Sequence, residues 1–139
     1  MDSPDLDAAY RATSYLVAMP DGGRVVVRCG ERSEPLERFL AEAGVDHWAF
    51  LTACNPRSTR LGDAENALRM TRLDAALRDR GRDWLAGEGQ GDAGDWPPEP
   101  SRLVLGIEEA DAIAIGRLFE QNAIVAGSRG RAARLVWIA

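Results

Sequence analysis

The polar side chains of residues 55–72 have the types and spacing of a ligand site. The loop 55–60 reads NPRSTR and lies between a short apolar run and a helical pattern. Loops held between a strand and a helix often carry binding residues. Arg57 and Arg60 in the loop, with Arg69 and Arg72 in the helix, would bring guanidinium groups near the N–H groups of a helix N-terminus, which suits a phosphate or a carboxylate. We therefore expect a small-ligand or anion site within Asn55–Arg72.

The same residues also permit a purely structural reading. The arginines could pair in solvent with nearby acidic residues, and Glu65 and Arg69 have the i,i+4 spacing of a helical ion pair. Asn66 lies one turn before Met70 on the apolar face of the predicted helix, where a polar group needs hydrogen-bond partners. The corner is therefore either a binding site or a buried hydrogen-bond network, and the residues alone leave both open.

No catalytic or cofactor signature accompanies this corner. Residues 89–94 read GQGDAG and match G-x-G-x-x-G, but no helix follows to receive a pyrophosphate. A nucleophile elbow of the G-x-S-x-G type is absent from the sequence. Two cysteines and one histidine are too few for the usual four-ligand zinc site. We predict no metal and no cofactor, the catalytic residues stay unknown, and whether the protein is an enzyme stays open.

The composition is that of a soluble, globular, acidic domain. The 139 residues are 45% hydrophobic and carry a net charge of −5, and the basic residues are all arginine. An acidic domain disfavours nucleic acid as a partner. No stretch resembles a membrane span or a signal peptide, so we expect no membrane association and a cytoplasmic location. A small anionic ligand is one candidate partner, and the oligomeric state is not predicted.

The elements that would position the corner follow from periodicity and turn signals. We expect a flexible tail over residues 1–9 and one domain over 10–139. Strands are predicted over 10–19, 24–29, 48–53, 83–88, 101–106, 123–126 and 133–138. Helices are predicted over 34–43, between an N-cap at Ser33 and Gly44, over 63–80, and over 108–121, with Asn122 as a left-handed cap.

This order, ββαβαββαββ, predicts an α+β domain with a mixed sheet of about five to seven strands and three helices. Strand 48–53 is apolar on both faces except for Thr52, so we place it near the centre of the sheet. Terminal hairpins argue against a doubly wound parallel fold.

Several short motifs together resemble a known family. They are Tyr10-x-x-Thr13-x-Tyr15, the run AFLTA-x-NP-x-S over residues 49–58, Glu65-Asn66-x-x-Arg69, Glu99-x-Ser101 and Gln121-Asn122-Ala123. In combination they make the chain similar to a bacterial family catalogued as domain of unknown function 3293, over about residues 10–138. The family commonly has an aromatic residue in place of Cys54 and glycine in place of Glu120. The resemblance implies no activity.

The motifs and the residue-level reading agree on a set of polar groups at the ends of elements. We take these as the candidate ligand-binding residues: Asn55, Arg57, Ser58, Glu65, Asn66, Arg69, Glu99, Gln121 and Asn122. The competing hypothesis is a protein-interaction module without catalysis.

Overall fold

One seven-stranded sheet organises the protein. The computed structural model describes residues 4–91 and 97–138. Its strands are β1 Ser14–Ala18, β2 Arg24–Val27, β3 His47–Leu51, β4 Asp83–Gln90, β5 Glu99–Leu105, β6 Ala123–Ser128 and β7 Arg134–Trp137. Its helices are α1 Pro4–Arg11, α2 Glu34–Ala43, α3 Asp63–Asp79 and α4 Glu109–Leu118, with a 3₁₀ turn at Pro56–Ser58.

The strand order is β2-β1-β4-β5-β3-β6-β7, so β3 lies in the interior, next to the central strand β5. Two β-α-β units interlock in the middle of the sheet. The unit β3-α3-β4 leaves a gap that β5 fills, and the unit β5-α4-β6 leaves a gap that β3 fills. This is the split β-α-β arrangement of ferredoxin-like domains. The β1–β2 hairpin extends it on one side and β7 on the other.

The α+β class and the predicted order ββαβαββαββ are confirmed, but the sheet is not mixed in its strand pairings. All six pairings are antiparallel. The reason is the interlocking: each parallel pair created by a helical crossover is separated by a third strand that runs the opposite way. The one parallel contact recorded in the described residues is an isolated bridge between Cys29 and Ala133.

The sheet separates two cores. On one face, Leu51, Val104 and Ile124 pack against α3 and α4. On the other face, Phe50, Leu103 and side chains of the β1–β2 hairpin form a second core, and α2 packs against it. The alternation of β-strand side chains sends neighbours such as Phe50 and Leu51 to opposite faces. Both faces of β3 are therefore buried, as its sequence predicts.

The face of the sheet that carries Phe50 and Leu103 is concave, because the sheet curls until its two edges meet. Besides the Cys29–Ala133 bridge, Gly30 N donates to the Ala133 carbonyl at 2.7 Å. Ala133 N in turn donates to the Glu31 carbonyl at 3.0 Å. The residues after β2 thereby join those before β7, although these strands stand at opposite ends of the strand order. The sheet therefore encloses the concave-face side chains.

The helix ends follow the sequence in part. Ser33 Oγ accepts a hydrogen bond from Leu36 N, and Gly44 has the left-handed φ of 70°, both as predicted for α2. At the end of α4 the left-handed residue is Glu120, with φ of 60°, so the prediction of Asn122 in that role is wrong. The helix ends earlier than predicted because Glu120 N and Gln121 N bond back to the carbonyls of Arg117 and Gly116 in a Schellman motif.

The N-terminal segment contains a helix where the sequence predicts a flexible tail. Within α1, Asp7 Oδ1 accepts a hydrogen bond from Trp137 Nε1 at 2.8 Å, and the Tyr10 ring meets the Trp137 ring edge-on at 5.5 Å. These contacts join residues that are far apart in the sequence, so local sequence patterns do not reveal them. No helix in residues 4–91 and 97–138 is long and apolar enough to cross a membrane.

Trp48 packs on a glycine, which makes Gly127 a sensitive test of the concave core. A Cβ at Gly127 would overlap the Trp48 indole, whereas a Cβ at Gly89 would make ordinary contacts no closer than 3.5 Å. We expect Gly127→Ala to lower the free energy of unfolding by about 1–3 kcal/mol through overpacking. Gly89→Ala, the matched control in β4, should change it by less than about 1 kcal/mol. Urea denaturation measures both, and equal effects would contradict this account of the core.

Candidate functional site

The chain leaves β3 through a buried segment whose backbone groups are paired by side chains. Arg69 Nε donates to the Ala53 carbonyl at 2.5 Å, and Gln121 Nε2 donates to the Cys54 carbonyl at 3.0 Å. Ala53 and Cys54 are almost completely buried. Buried carbonyls need partners, so α3 and the segment after α4 are connected to the end of β3 through these two side chains.

The Asn55 side chain is held on all its polar atoms. Its Oδ1 accepts hydrogen bonds from Leu61 N and from Asn66 Nδ2, both at 2.9 Å. Its Nδ2 donates to Glu99 Oε2 at 2.7 Å. Asn66 Oδ1 completes the exchange by accepting from Asn55 N at 3.0 Å. The two asparagines therefore clamp the loop to the first turns of α3 and orient the Glu99 carboxylate.

This loop contains most of the unusual backbone geometry in the described residues. Asn55, Arg57 and Ser58 have positive φ values of 50°, 53° and 58°, and the only other non-glycine residue of this kind there is Glu120. Arg57 N donates to the Glu120 carbonyl at 2.7 Å, so all four lie at one corner. A left-handed conformation at a non-glycine residue destabilises the folded state by the order of 1–2 kcal/mol. Backbone strain of this kind tends to occur at functional sites.

The two arginines of the corner bind the end of α4. Arg69 Nη2 donates to the Phe119 carbonyl at 2.6 Å, and Arg57 Nη1 donates to the Gln121 carbonyl at 3.2 Å. Arg69 also pairs with Glu120 at 3.6 Å, in place of the i,i+4 partner Glu65. Cations are favourable at a helix C-terminus, where carbonyls point outwards. These guanidinium groups therefore serve the fold at the positions where the sequence suggests anion binding.

Ser58 connects the loop to α1 and to β6. Its Oγ accepts a hydrogen bond from Asn122 Nδ2 at 2.9 Å and lies 3.1 Å from the Tyr10 hydroxyl. Asn122 is 2% exposed, and its Oδ1 is the one buried side-chain polar atom without a partner in the described residues.

A cavity of about 460 Å³ lies beside this loop, where β3 ends and β5 and β6 begin. Helix α1 borders it through Ala9 and Tyr10, and Ala12 follows directly after the helix. Its remaining wall combines apolar side chains with hydroxyl, amide and carboxylate groups: Thr13, Tyr15, Phe50, Leu51, Thr52, Asn55, Ser58, Gly89, Gly91, Glu99, Ser101, Gln121, Ala123, Ile124, Val125 and Leu135. Cavities of about 300–1,000 Å³ with mostly apolar walls and a few converging polar groups are typical of small-molecule sites.

The electrostatics of the cavity are set by burial and by Glu99. Burial raises the pKa of Tyr10 and raises that of Tyr15 far above its usual value, and the nearby Glu99 carboxylate adds to both increases. Burial likewise raises the pKa of the Cys54 thiol. All three groups are therefore neutral at physiological pH, and neither phenol is poised to act as a base.

The structure places eight of the nine candidate site residues in two groups, at the cavity wall and behind it, and leaves Glu65 apart from both. Asn55, Ser58, Glu99 and Gln121 border the cavity. Arg57, Asn66, Arg69 and Asn122 lie behind them as hydrogen-bonding partners. Glu65 is exposed on α3. Of the G-x-G-x-x-G match, Gly89 and Gln90 belong to β4, and residues 92–94 lie outside the described residues.

Sequence reasoning about sites overlooked the aromatic and hydroxyl residues of the cavity wall. Tyr10, Thr13, Tyr15 and Ser101 line the cavity, and none of the four is among the nine candidate residues. The signal that could have found them is the family resemblance itself, because these four residues belong to its motifs. The described residues contain no group of three His, Cys, Asp or Glu side chains that could hold a metal ion.

A family comparison matches the part of the chain that builds this corner. The sequence model of a family described as "Protein of unknown function (DUF3293)" matches residues 51–124, from the end of β3 into β6. The chain belongs to this family. In the DUF3293 segment, α3 and α4 are therefore joined to the strained loop and to Glu99. No curated protein and no solved structure matches the chain.

The family resemblance leads us to expect glycine at position 120, and the backbone gives this expectation a physical reason. Residue 120 is the left-handed position of the Schellman motif, which favours glycine over any residue with a Cβ. We expect Glu120→Gly to stabilise the protein by about 1 kcal/mol, and Glu120→Ala, the control that loses the same carboxylate, to give no such gain. Thermal denaturation distinguishes them, with a rise of about 3–5 °C for glycine alone. Equal melting temperatures for the two variants would contradict this explanation.

Asn66 tests the clamp on the loop. Asn66→Ala removes the acceptor of the Asn55 backbone N–H. Leaving a buried donor unpaired lowers the free energy of unfolding by about 1–3 kcal/mol. We expect the melting temperature to fall by several degrees. Arg72→Ala, on an exposed face of the same helix, should change the unfolding free energy by no more than about 0.5 kcal/mol. If Asn66→Ala melts within a degree of the wild type, the network does not stabilise the corner.

Proposed function

We propose that the protein is a small-ligand-binding domain whose ligand occupies the 460 Å³ cavity beside the Asn55–Ser58 loop. The observation that carries the proposal is the placement of the strained, doubly clamped loop at the wall of this cavity. Asn55 and Ser58 both present polar side chains there from left-handed backbone conformations. A loop needed only to connect β3 to α3 would not require three residues in this unfavourable conformation within a stretch of four.

The proposed site is displaced from the one that the sequence suggests. The anion site expected around Arg57 and Arg69 would need guanidinium groups directed at a ligand, and both are engaged by backbone carbonyls. Asn55, Ser58, Glu99 and Gln121 remain as candidate ligand-binding residues, with Tyr10, Thr13, Tyr15 and Ser101 added. No catalytic role is assigned to any of them.

The exposed surface offers less support for a protein-interaction module. In the described part of the chain, the large apolar side chains that are exposed are Val26, Leu68 and Leu118. They lie on β2, α3 and α4, and single exposed apolar residues are normal for a monomer.

The proposal predicts that a ligand stabilises the protein and that filling the cavity abolishes the effect. A thermal-shift screen of nucleotides, phosphosugars, carboxylates, amines and uncharged metabolites should return at least one hit. A ligand at about 100 times its Kd stabilises by about 2.7 kcal/mol. Gly89→Val should remove this response, since a side chain there points towards Tyr15 and the cavity.

Ala86→Val is the matched control for this experiment, because residue 86 is on the same strand but exposed and does not line the cavity. It should keep the ligand response. A flat screen on the wild-type protein, or a hit that Gly89→Val binds as tightly, would overturn the proposed function.

A further inference from the structure

We infer that the ligand is an organic cation, a protonated amine attached to a small apolar body. This inference rests on the proposed function, and the juxtaposition of Glu99 with aromatic walls carries it. Among the described residues that line the cavity, Glu99 is the only one with a formally charged side chain. An anion placed there would meet a carboxylate of like charge and no guanidinium group.

Three arginines near the cavity are directed elsewhere. Arg57 and Arg69 bind carbonyls at the end of α4 and after β3. Arg102, next to the lining residue Ser101, forms a two-point ion pair with Asp74 at 2.7 and 3.1 Å. Redirecting any of them to a ligand would leave buried carbonyls or a half-buried aspartate without a partner, which is costly.

The Glu99 carboxylate is oriented before any ligand arrives. Leu61 N and Asn66 Nδ2 both donate to Asn55 Oδ1, so the Asn55 amide has to present its Nδ2 to Glu99 Oε2. A carboxylate has about four acceptor positions, so the hydrogen bond from Asn55 does not by itself prevent a ligand ammonium group from binding Glu99. Charge-assisted hydrogen bonds of this kind are among the stronger ones in proteins.

Aromatic rings provide the second element of cation recognition. Tyr10, Tyr15 and Phe50 line the cavity, and the Tyr15 and Phe50 rings meet edge-on with centroids 5.0 Å apart. Ring faces attract cations electrostatically, and more strongly where water is excluded. Glu99 also raises the pKa of Tyr10 and Tyr15, so its negative field reaches these rings.

Ligands of the same shape but different charge test the inference. The probes are benzylamine, benzyl alcohol and benzoate, with the corresponding hexyl and cyclohexylmethyl sets, at neutral pH where the amines are protonated. Binding is measured from amide chemical shifts of the cavity residues in titrations followed by NMR. We expect the amine in each set to bind about tenfold or more tightly than the alcohol, and the carboxylate to bind most weakly.

Two isosteric variants locate the effect. Glu99→Gln keeps an oxygen that can accept from Asn55 Nδ2 but removes the charge, and it should reduce amine affinity to that of the alcohol. Glu65→Gln removes the same charge from an exposed position on α3 and should leave the preference intact.

The outcomes separate this inference from the proposed function. If an uncharged or anionic compound, from these sets or from the wider screen, binds the cavity as well as the amines do, the ligand is not selected as a cation. The same conclusion follows if Glu99→Gln keeps the amine preference. In both cases the cavity remains a binding site. If no compound of any charge binds, both fail.

Discussion

Buried backbone groups that no strand can pair impose the main constraint on this protein. At the end of β3 the chain turns while still buried, and side chains satisfy the carbonyls of Ala53 and Cys54 and the amide of Asn55. Those side chains come from α3 and from the segment after α4, so the three parts of the chain must assemble together. The corner is thus a rigid joint, and the cavity lies against it.

The rigidity of this joint explains how structural and binding roles can coexist. Residues such as Asn66 and Arg69 keep the loop in a conformation that it would not adopt alone, and Asn55 and Ser58 display their side chains from that loop. A binding site requires groups held in place before the ligand arrives, because ordering them on binding reduces affinity. Under the proposed function, the structural and the binding reading that the sequence leaves open would therefore apply to different residues of the same corner.

Local patterns predicted the elements well because the signals were local. The caps at Ser33 and Gly44 and the apolar stripe of α3 appear directly in the sequence, and the structure has them. The antiparallel strand pairing and the helix α1 could not be predicted in this way, because each depends on contacts between distant segments, such as that between Tyr10 and Trp137. The orientation of the arginine side chains could not be predicted either, because the sequence shows where a charge is but not which backbone carbonyl it will bind.

The meeting of the two sheet edges has a consequence for the order of events during synthesis. Asp7 bonds to Trp137 across 130 positions, and the residues after β2 reach Ala133. While the ribosome is still adding β6 and β7, β1 can already pair with β4, but α1 still lacks its Trp137 partner and the end of β2 still lacks Ala133. The concave core then remains open to solvent and chaperones. Contacts this distant in sequence slow folding, and the cavity cannot be complete until the wall residues Ala123 and Leu135 have been synthesised.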